Sequence, residues 1–385
     1  MKTPFFLCAL FLLSTGCAFQ LGAQGPLTPP GPPGPTMKTL QQVEPRIDLA
    51  TLSGDATDVV VISSPGSYYL SANITGTAGK NGILINADNV TIDLNGFEVL
   101  GTTSGANALS GILDSVGHKN LSISNGTVSG WGLGNISLIS SSYVELRRLR
   151  LSNATGNGTF ATGDGFNGRN CTGSLIVDCV ASGNAGDGFA CGLNCTMTGC
   201  VSNHNALSGC SGTNLGCTNC SADSNASAGF FLFSGGRLNN CAATGVRAQA
   251  TQGDGFLTGS GSVVTACIAI GNSDAGFDTA SSVVTGCVAQ DNNIGFFFTS
   301  NDILSNNLAT ANATHGFQGS GSNNRIDGNS AISNTGTGFL SASTTADFSF
   351  RNTAFANGTD YNPVAGTYTG PHQVPSTATS PWANF

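Results

Sequence analysis

A Gly-Phe pair returns at intervals of 19 to 26 residues through the second half of the sequence. A period of this length, with no helical apolar pattern inside it, indicates a solenoid in which each repeat packs against its neighbours. Seven of the intervals are 23 residues or shorter. The repeating aromatic residues are Phe166, Phe189, Phe230, Phe256, Phe277, Phe296, Phe317 and Phe339, and Cys210 takes the Phe place once.

A second landmark aligns the same repeats and shows that several positions keep one kind of side chain. Three residues before this landmark the side chain is apolar, two after it stands Ala or Ser, and five after it stands Asn, except at Val246. Like residues stack at every turn when each strand pairs in parallel and in register with the strand one turn later. The landmark residues are Cys179, Cys200, Cys220, Cys241, Cys267, Cys287, Asn307 and Asn329.

The aligned columns therefore predict an all-β, right-handed parallel β-helix, the hand following from the crossover rule for parallel strands. Counting between residues 82 and 338 gives roughly eleven turns. We expect the stacked Asn amides to hydrogen-bond from one turn to the next. We also expect the Asn column and the Gly before each Phe to occupy sharp corners, where left-handed backbone is needed.

The segments outside the repeat predict export and capping. Residues 1–23 have a basic start, an apolar run and small residues, as a signal peptide does, and residues 24–36 form a Pro/Gly-rich spacer. Lipidation at Cys17 is an alternative to cleavage after it. We predict an N-terminal cap and first strands over 37–81, the β-helix over 82–345 and a C-terminal cap over 346–385. The protein is then secreted, periplasmic or at the cell surface.

Charge excludes one class of partner. Only 9% of residues are charged, and the net charge is −8. Nucleic-acid binding requires clustered Lys and Arg that displace counterions from phosphates, and no such run exists in the sequence. We therefore expect no nucleic-acid partner.

Terminal motifs resemble a known group of proteins. The segments MKTLQQVEPRI (37–47), PGSYYLSANITG (65–76), NVTIDLNGF (89–97) and SPWANF (380–385) are similar to those of exported bacterial β-helix repeat proteins of the pectate-lyase-like superfamily. The resemblance implies a fold and an export route. The wider superfamily contains polysaccharide lyases, hydrolases and esterases together with adhesins and phage tail-spikes, so the fold does not select among these functions.

The cysteines fit the core better than a metal site. Six of the 13 occupy the landmark column, and Cys210 and Cys217 replace other core residues, as buried thiols do. Cys171 and Cys195 fall in corresponding loops of adjacent turns and are the best candidates for a disulfide, with Cys191 as a competing partner. The four His are scattered without the spacing of zinc ligands.

Two carboxylates precede the Gly-Phe pair on adjacent turns. Asp164 and Asp187 could bind Ca²⁺ or share a proton as a catalytic pair. The alternative is that they are turn residues, each bonding its own backbone in a Gly-Asp-Gly corner. A calcium-dependent lyase also needs a basic residue to take the proton from its substrate. Because no Lys or Arg belongs to this corner of the repeat, that mechanism has little support.

Two further groups are candidates for substrate binding. Arg147, Arg148 and Arg150 form a basic patch able to hold a carboxylate or sulfate, although an ion pair of Arg148 with Asp178 on the next turn would satisfy both residues. The position after the repeat Phe should face outward, and an apolar face there either stacks on sugar rings or packs against another surface. Its members on successive turns are Phe231, Leu257, Asp278 and Phe297.

Taken together, these features favour a non-catalytic exported β-helix that binds a polysaccharide or cell-surface glycan, serves adhesion or builds a surface structure. The alternative is a polysaccharide lyase or glycoside hydrolase that acts on an acidic glycan through Asp164 and Asp187. An enzyme needs acid, base and charge-stabilising groups around one groove, whereas the sequence offers them scattered. Trimeric assembly in the manner of tail-spikes rests on analogy of fold alone.

Overall fold

The structure is a computed structural model that describes residues 45–102, 109–156, 162–247, 253–341, 347–362 and 368–385. The predicted signal peptide over 1–23, with Cys17, and the spacer over 24–36 lie outside the described residues. The described chain is an all-β right-handed parallel β-helix of about 13 turns. The fold class predicted from the repeat is confirmed.

Three stacks of parallel strands form the walls of the helix, and one strand of each stack belongs to nearly every turn. The first stack contains Asp58–Ile62, Asn81–Ile85, Ser110–Asp114, Gly134–Leu138, Asp164–Thr172, Phe189–Leu193, Cys210–Thr213, Ala228–Leu232, Asp254–Thr258, Ala275–Thr279, Ile294–Phe298, His315–Gly319, Thr337–Ser341 and Thr359–Asn362.

The second stack lies one corner further along the chain. It contains Ile47–Asp48, Gly66–Tyr69, Val90–Asp93, the first parts of Lys119–Ser129 and Ser142–Ser152, Leu175–Val177, Thr196–Thr198, Gly216–Thr218, Arg237–Asn239, Val263–Thr265, Val283–Thr285, Ile303–Ser305, Arg325–Asp327, Phe348–Phe350 and Tyr368–Thr369.

The third stack completes each turn. It contains Ile74–Thr75, Glu98–Leu100, the second parts of Lys119–Ser129 and Ser142–Ser152, Val180–Ser182, Val201–Asn203, Ser221–Asp223, Ala242–Thr244, Ile268–Ile270, Val288–Gln290, Leu308–Thr310, Ser330–Ile332 and Thr353–Phe355. Two short 3₁₀ segments, Leu49–Thr51 and Pro375–Thr377, are the helical elements of the described residues.

The turn count exceeds the predicted eleven because the stacks continue past residues 82 and 338. Asp58–Ile62 pairs with Asn81–Ile85 at the N-terminal end, and Thr359–Asn362 pairs with Thr337–Ser341 at the C-terminal end. The segment predicted as an N-terminal cap with first strands and the segment predicted as a C-terminal cap both contribute strands to the stacks. Their sequences lack the repeat motif, which is why counting Gly-Phe pairs misses these turns.

Aromatic rings fill one wall of the interior. The rings of the repeat phenylalanines from Phe256 to Phe339 stack nearly parallel, with centroids 4.7 Å apart. This distance matches the spacing of adjacent strands in a sheet, about 4.8 Å. Strand pairing, rather than the preference of the rings, therefore sets their separation. Tyr361 ends the stack 5.3 Å beyond Phe339.

The predicted Asn ladder runs along a second corner of the interior. Asn292 Nδ2 donates to Asn312 Oδ1 at 3.2 Å, and Asn312 Nδ2 donates to Asn334 Oδ1 at 2.8 Å. Each Oδ1 also accepts the backbone N–H of the Asn one turn earlier, as Asn312 does from Asn292 at 3.0 Å. Buried backbone groups at this corner are satisfied by side chains, as burial requires.

Two expectations about corner geometry need correction. Left-handed backbone occurs at the residue before the stacked Asn, as at His204, Asp291 and Ala311, and not at the Asn itself. The Gly before the repeat Phe has ordinary φ, and its role is space. A Cβ on Gly276 would lie 2.8 Å from Asn292 Nδ2 and 2.8 Å from the Gly295 carbonyl oxygen. The Asn ladder therefore requires Gly at this position.

Candidate functional site

The outward column of the first stack brings together the predicted apolar face. Phe231 is in register with Leu257, Leu257 with Asp278, and Asp278 with Phe297. All four side chains are half-buried. The ring of Phe231 contacts the ring of Phe233, which is 48% exposed, with centroids 4.5 Å apart. We call these four residues the first-stack platform.

Asp278 places a carboxylate in the middle of this platform. Burial, followed by the charges of Asp274 and Asp302, raises the pKa of Asp278 to about 6. On the neighbouring first-stack strand, Asp254 is buried and accepts a hydrogen bond from the Ala275 N–H at 3.0 Å. Burial, with smaller contributions from Asp278 and Asp274, raises the pKa of Asp254 to about 7. The raised pKa means that the Asp278 carboxylate of the platform takes up its proton at a higher pH than an ordinary Asp does.

The buried carboxyl of Asp254 predicts a pH dependence of stability. Because its pKa in the folded state is about 7 and the ordinary value is 3.8, the folded protein holds a proton that the unfolded chain releases. Stability from this group is present at low pH and is lost as pH rises from about 4 to 7. We expect Asp254→Asn to stabilise the protein at pH 8 by about 2 kcal/mol, and less at pH 4.

Urea unfolding of both proteins at several pH values measures this difference. Asp291→Asn, at an exposed corner where Asn is tolerated, is the matched control. Equal curves for wild type and Asp254→Asn across the whole pH range would contradict the expectation.

A second cluster joins the predicted acid pair to a residue that sequence analysis did not select. Arg169 Nη2 donates to Asp164 Oδ2 at 3.2 Å and to Asp187 Oδ2 at 3.0 Å. Asp164 is fully buried and Asp187 nearly so, while the Arg169 side chain is 21% exposed. The statement that no Arg or Lys belongs to this corner is therefore wrong. Arg169 lies outside the repeat pattern, but it is the one Arg or Lys on the described first-stack strands.

Backbone groups of the next turn also bind these carboxylates. Asp164 Oδ1 accepts the Asp187 N–H at 2.8 Å, and Asp187 Oδ1 accepts the Ser208 N–H at 2.9 Å. Asp187 Oδ2 also accepts the Ser211 hydroxyl at 2.9 Å. The Asp that precedes the Gly-Phe pair therefore bonds the backbone of the next turn. The alternative, in which each Asp bonds its own turn, does not describe these two residues.

The electrostatics of this cluster are those of a crowded acid pair. Burial and the neighbouring Asp187 raise the pKa of Asp164, and the Arg169 guanidinium opposes that rise. A carboxyl with a raised pKa is what a general acid requires. The geometry argues against a general-acid role, because the oxygens of both carboxylates already have protein partners. Calcium at this pair stays a prediction, since the ion would have to displace Arg169.

The predicted arginine patch is divided between two environments. Arg147 pairs with Glu145, whose Oε1 accepts its Nε at 2.6 Å. Arg148 and Arg150 line an open groove of about 300 Å³ together with Asp178. The expected ion pair of Arg148 with Asp178 does not form between these two described residues, because Arg148 Nε donates to Asn125 Oδ1 at 2.7 Å instead. The register predicted for this turn is present, with Arg150 beside Val180.

The cysteine core holds thiols. All eleven cysteines of the described residues are buried and free, so the structure does not contain the predicted disulfide between Cys171 and Cys195. Cys171 Sγ donates to the Leu138 carbonyl oxygen instead. Burial, followed by Cys195, raises the pKa of Cys171 to about 12. Within the described ranges, no group of three or more His, Cys, Asp or Glu side chains is arranged to hold a metal ion.

In the part of the chain that the structure describes, none of the helical segments has the length and hydrophobicity of a transmembrane helix. The sequence matches no protein-family model and no curated protein. The structure is similar to the A-module of the Azotobacter vinelandii mannuronan C-5 epimerase AlgE6, with TM-score 0.48, 16% identity and coverage of 80% of this chain and 92% of that one.

It is also similar to the periplasmic alginate epimerase AlgG, with TM-score 0.39, 11% identity and coverage of 86% and 81%. A third similar structure is pectate lyase Pel9A, with TM-score 0.32, 17% identity and coverage of 63% and 68%. At these identities and TM-scores, the likeness says nothing about the reaction or the ligand of this chain.

Proposed function

We propose that this chain is an exported, non-catalytic β-helix module that binds an acidic polysaccharide, in adhesion or in a surface structure. The observation that carries the proposal is the first-stack platform: two phenylalanines and a leucine on neighbouring turns, in register and partly exposed. Aromatic side chains on a flat surface offer the apolar faces of sugar rings a place to stack. The groove beside Arg148 and Arg150 lies on other walls of the helix, several turns away, and offers positive charge to an acidic group elsewhere on the polymer.

The distribution of ionisable groups supports a binding role over catalysis. The acid pair Asp164 and Asp187 is enclosed and bonded to Arg169. Asp254 and Asp278 lie several turns further along the first stack, while Arg148 and Arg150 lie on the strand shared by the second and third stacks. Catalysis requires acid, base and charge-stabilising groups around one substrate position. These groups face different positions along and around the helix.

Removing the platform aromatics tests the proposal. We expect the double substitution Phe231→Ser and Phe297→Ser to weaken retention by polygalacturonate or alginate in affinity electrophoresis by about tenfold. Both rings are half-buried, so melting should change little. Phe355→Ser removes a 52% exposed ring from the third stack and serves as the matched control. Retention that the double substitution leaves intact would reject the platform.

The alternative function is a lyase or hydrolase that uses the Asp164 and Asp187 pair. One observation favours it: the raised pKa of Asp164 beside an arginine suits a general acid. Incubating the protein with polygalacturonate, alginate and sulfated glycans, with added Ca²⁺ or with chelator, and measuring new unsaturated and reducing ends tests it. Turnover that disappears in Asp187→Asn would favour the enzyme; its absence under all conditions favours the binding module.

Export is part of the same proposal. The predicted signal peptide over residues 1–23 requires a mature chain that starts near residue 24, or at a lipidated Cys17 if the alternative holds. The N-terminal sequence and mass of the protein recovered from the exported fraction distinguish the two. A full-length chain retained inside the cell would contradict export.

A further inference from the structure

An aromatic groove lies at the C-terminal end of the second stack, away from the first-stack platform. It is open, has a volume of about 490 Å³ and is lined by Arg325, Phe348, Phe350 and Trp382. Arg325 and Phe348 are in register on neighbouring strands, and Trp382 comes from the chain terminus. We call it the C-terminal groove.

Closure of the end of the β-helix does not explain the presence of an exposed tryptophan at position 382. The terminal segment is anchored by Ala383 and Asn384, which are fully buried. Asn384 Oδ1 accepts the Asn352 N–H at 2.9 Å, and Asn384 Nδ2 donates to the Ser349 carbonyl oxygen at 3.2 Å. These contacts close the turn, yet the neighbouring Trp382 remains 54% exposed. The other tryptophan of the chain, Trp131, is 3% exposed.

The indole of Trp382 is presented in a defined orientation. The ring of Phe350 meets it edge to face, with centroids 6.0 Å apart and an interplanar angle of 64°. The Arg351 guanidinium lies 5.7 Å from the indole centroid, within the range of a cation–π interaction. Phe348, 43% exposed, stands 6.2 Å from Phe350. The groove therefore presents two partly exposed aromatic side chains, Trp382 and Phe348, beside the ring of Phe350.

Charge beside the rings is positive on a protein that is acidic as a whole. Arg325 Nη2 donates to Asp327 Oδ2 at 2.8 Å, and Arg351 Nε donates to Asp327 Oδ1 at 2.8 Å. These two arginines lower the pKa of Asp327, so one ionised carboxylate faces two cations. The cluster carries a net charge of +1, while the chain carries −8. The side chains of Arg325 and Arg351 are 58% and 50% exposed, so both are accessible from solvent.

We propose that the C-terminal groove binds a uronate residue of an acidic polysaccharide. The apolar face of the sugar ring stacks on Trp382 and Phe348, and its carboxylate bonds the guanidinium of Arg325. Asp327 orients both arginines and limits the net charge of the cluster to +1, so a bare anion is held weakly. A sugar ring that carries a carboxylate gains the stacking contact as well, and the groove therefore selects it over a bare anion. This inference rests on the proposed function and extends it to a second face of the rod.

Fluorescence of the full chain tests the groove directly, because Trp382 is the exposed tryptophan. We expect oligogalacturonate to change the tryptophan emission saturably, and a neutral oligosaccharide of equal length to leave it unchanged. Arg325→Gln should weaken the apparent affinity by about tenfold. Arg237→Gln, an exposed arginine in the same outward column of the second stack, should leave the affinity as in the wild type.

A second measurement uses the polymer. Trp382→Ala should weaken retention by polygalacturonate by about tenfold, while Phe355→Ala should not. A wild-type emission that oligogalacturonate leaves unchanged, together with unchanged retention of Trp382→Ala, would overturn the groove. A change of sedimentation in Trp382→Ala without a change of sugar binding would also overturn it, because the indole would then serve association between copies.

The outcomes separate this inference from the proposed function. Loss of polymer retention on removing Phe231 and Phe297, with no emission response to oligogalacturonate, rejects the groove and keeps the platform. An emission response that Arg325→Gln weakens, with polymer retention indifferent to Phe231 and Phe297, keeps the groove and rejects the platform. Failure of both measurements rejects glycan binding altogether. Melting curves of Arg325→Gln, which leaves the terminal segment intact, show whether a loss of binding reflects unfolding.

Discussion

Replacing Asn312 with alanine is expected to lower the free energy of unfolding by about 3 to 5 kcal/mol, because several buried groups lose their partners. Asn312 Oδ1 accepts both the backbone N–H and the Nδ2 of Asn292. Its Nδ2 donates to Asn334 Oδ1 and to the Ala289 carbonyl oxygen. The side chain is fully buried, so water cannot replace these bonds without opening the turn.

Urea unfolding followed by circular dichroism measures the effect as a lower midpoint. The control is Asn239→Ala, because Asn239 is exposed and lies on a second-stack strand. It should change stability by less than about 0.5 kcal/mol. Similar midpoints for the two variants would show that the amide ladder does not hold the turns together.

The second large effect is expected at Arg169. Arg169→Met removes the cation shared by Asp164 and Asp187 and leaves two buried carboxylates side by side. Breaking a buried ion pair from one side costs about 3 to 5 kcal/mol, and the partial exposure of Arg169 places the expected loss near the lower value. The loss arises from uncompensated negative charge, so it depends on pH.

The sign of that dependence follows from Asp164. Its pKa is already raised in the folded protein, and removing the cation raises it further. A carboxyl whose folded pKa lies above the ordinary value stabilises at low pH and loses that stability as pH rises. Arg169→Met should therefore be most destabilised at pH 8 and recover part of its stability toward pH 4 to 5.

Two further variants make this result decisive. Combining Arg169→Met with Asp164→Asn removes one of the two charges and should recover part of the loss at pH 8. Arg237→Met, at an exposed position, should have little effect at any pH. A loss for Arg169→Met that is equal at pH 4 and pH 8 would mean that packing, and not charge, is what Arg169 contributes.

The interior of the β-helix was predictable because of its translational repeat. A residue at one position of a turn meets the same position of the next turn, so a column of Phe, Cys or Asn in the alignment is also a column in space. The Phe rings at 4.7 Å and the amide bonds between Asn312 and Asn334 are direct consequences. The extra turns at the ends escaped because their side chains do not follow the motif.

The candidate sites were predictable only where they lie in such columns. Phe231, Leu257, Asp278 and Phe297 share one column, and strand pairing places them side by side as expected. Arg169 was missed because it has no counterpart in the repeat, and its role depends on a strand that runs on to Thr172. The partner of Arg148 was also missed, because a corner arginine can reach the turn on either side.

The amino-acid sequence by itself determined the parallel β-helix, the buried columns and the outward face of the first stack. These follow from a period of about 21 residues, since in-register pairing stacks each residue on its equivalent. Only the tertiary structure decided that Arg169 joins Asp164 to Asp187 and that Arg325, Phe348 and Trp382 form one groove. Arg169 and Trp382 have no equivalent in the repeat, so the contacts that they make depend on the path of the corners and of the chain terminus.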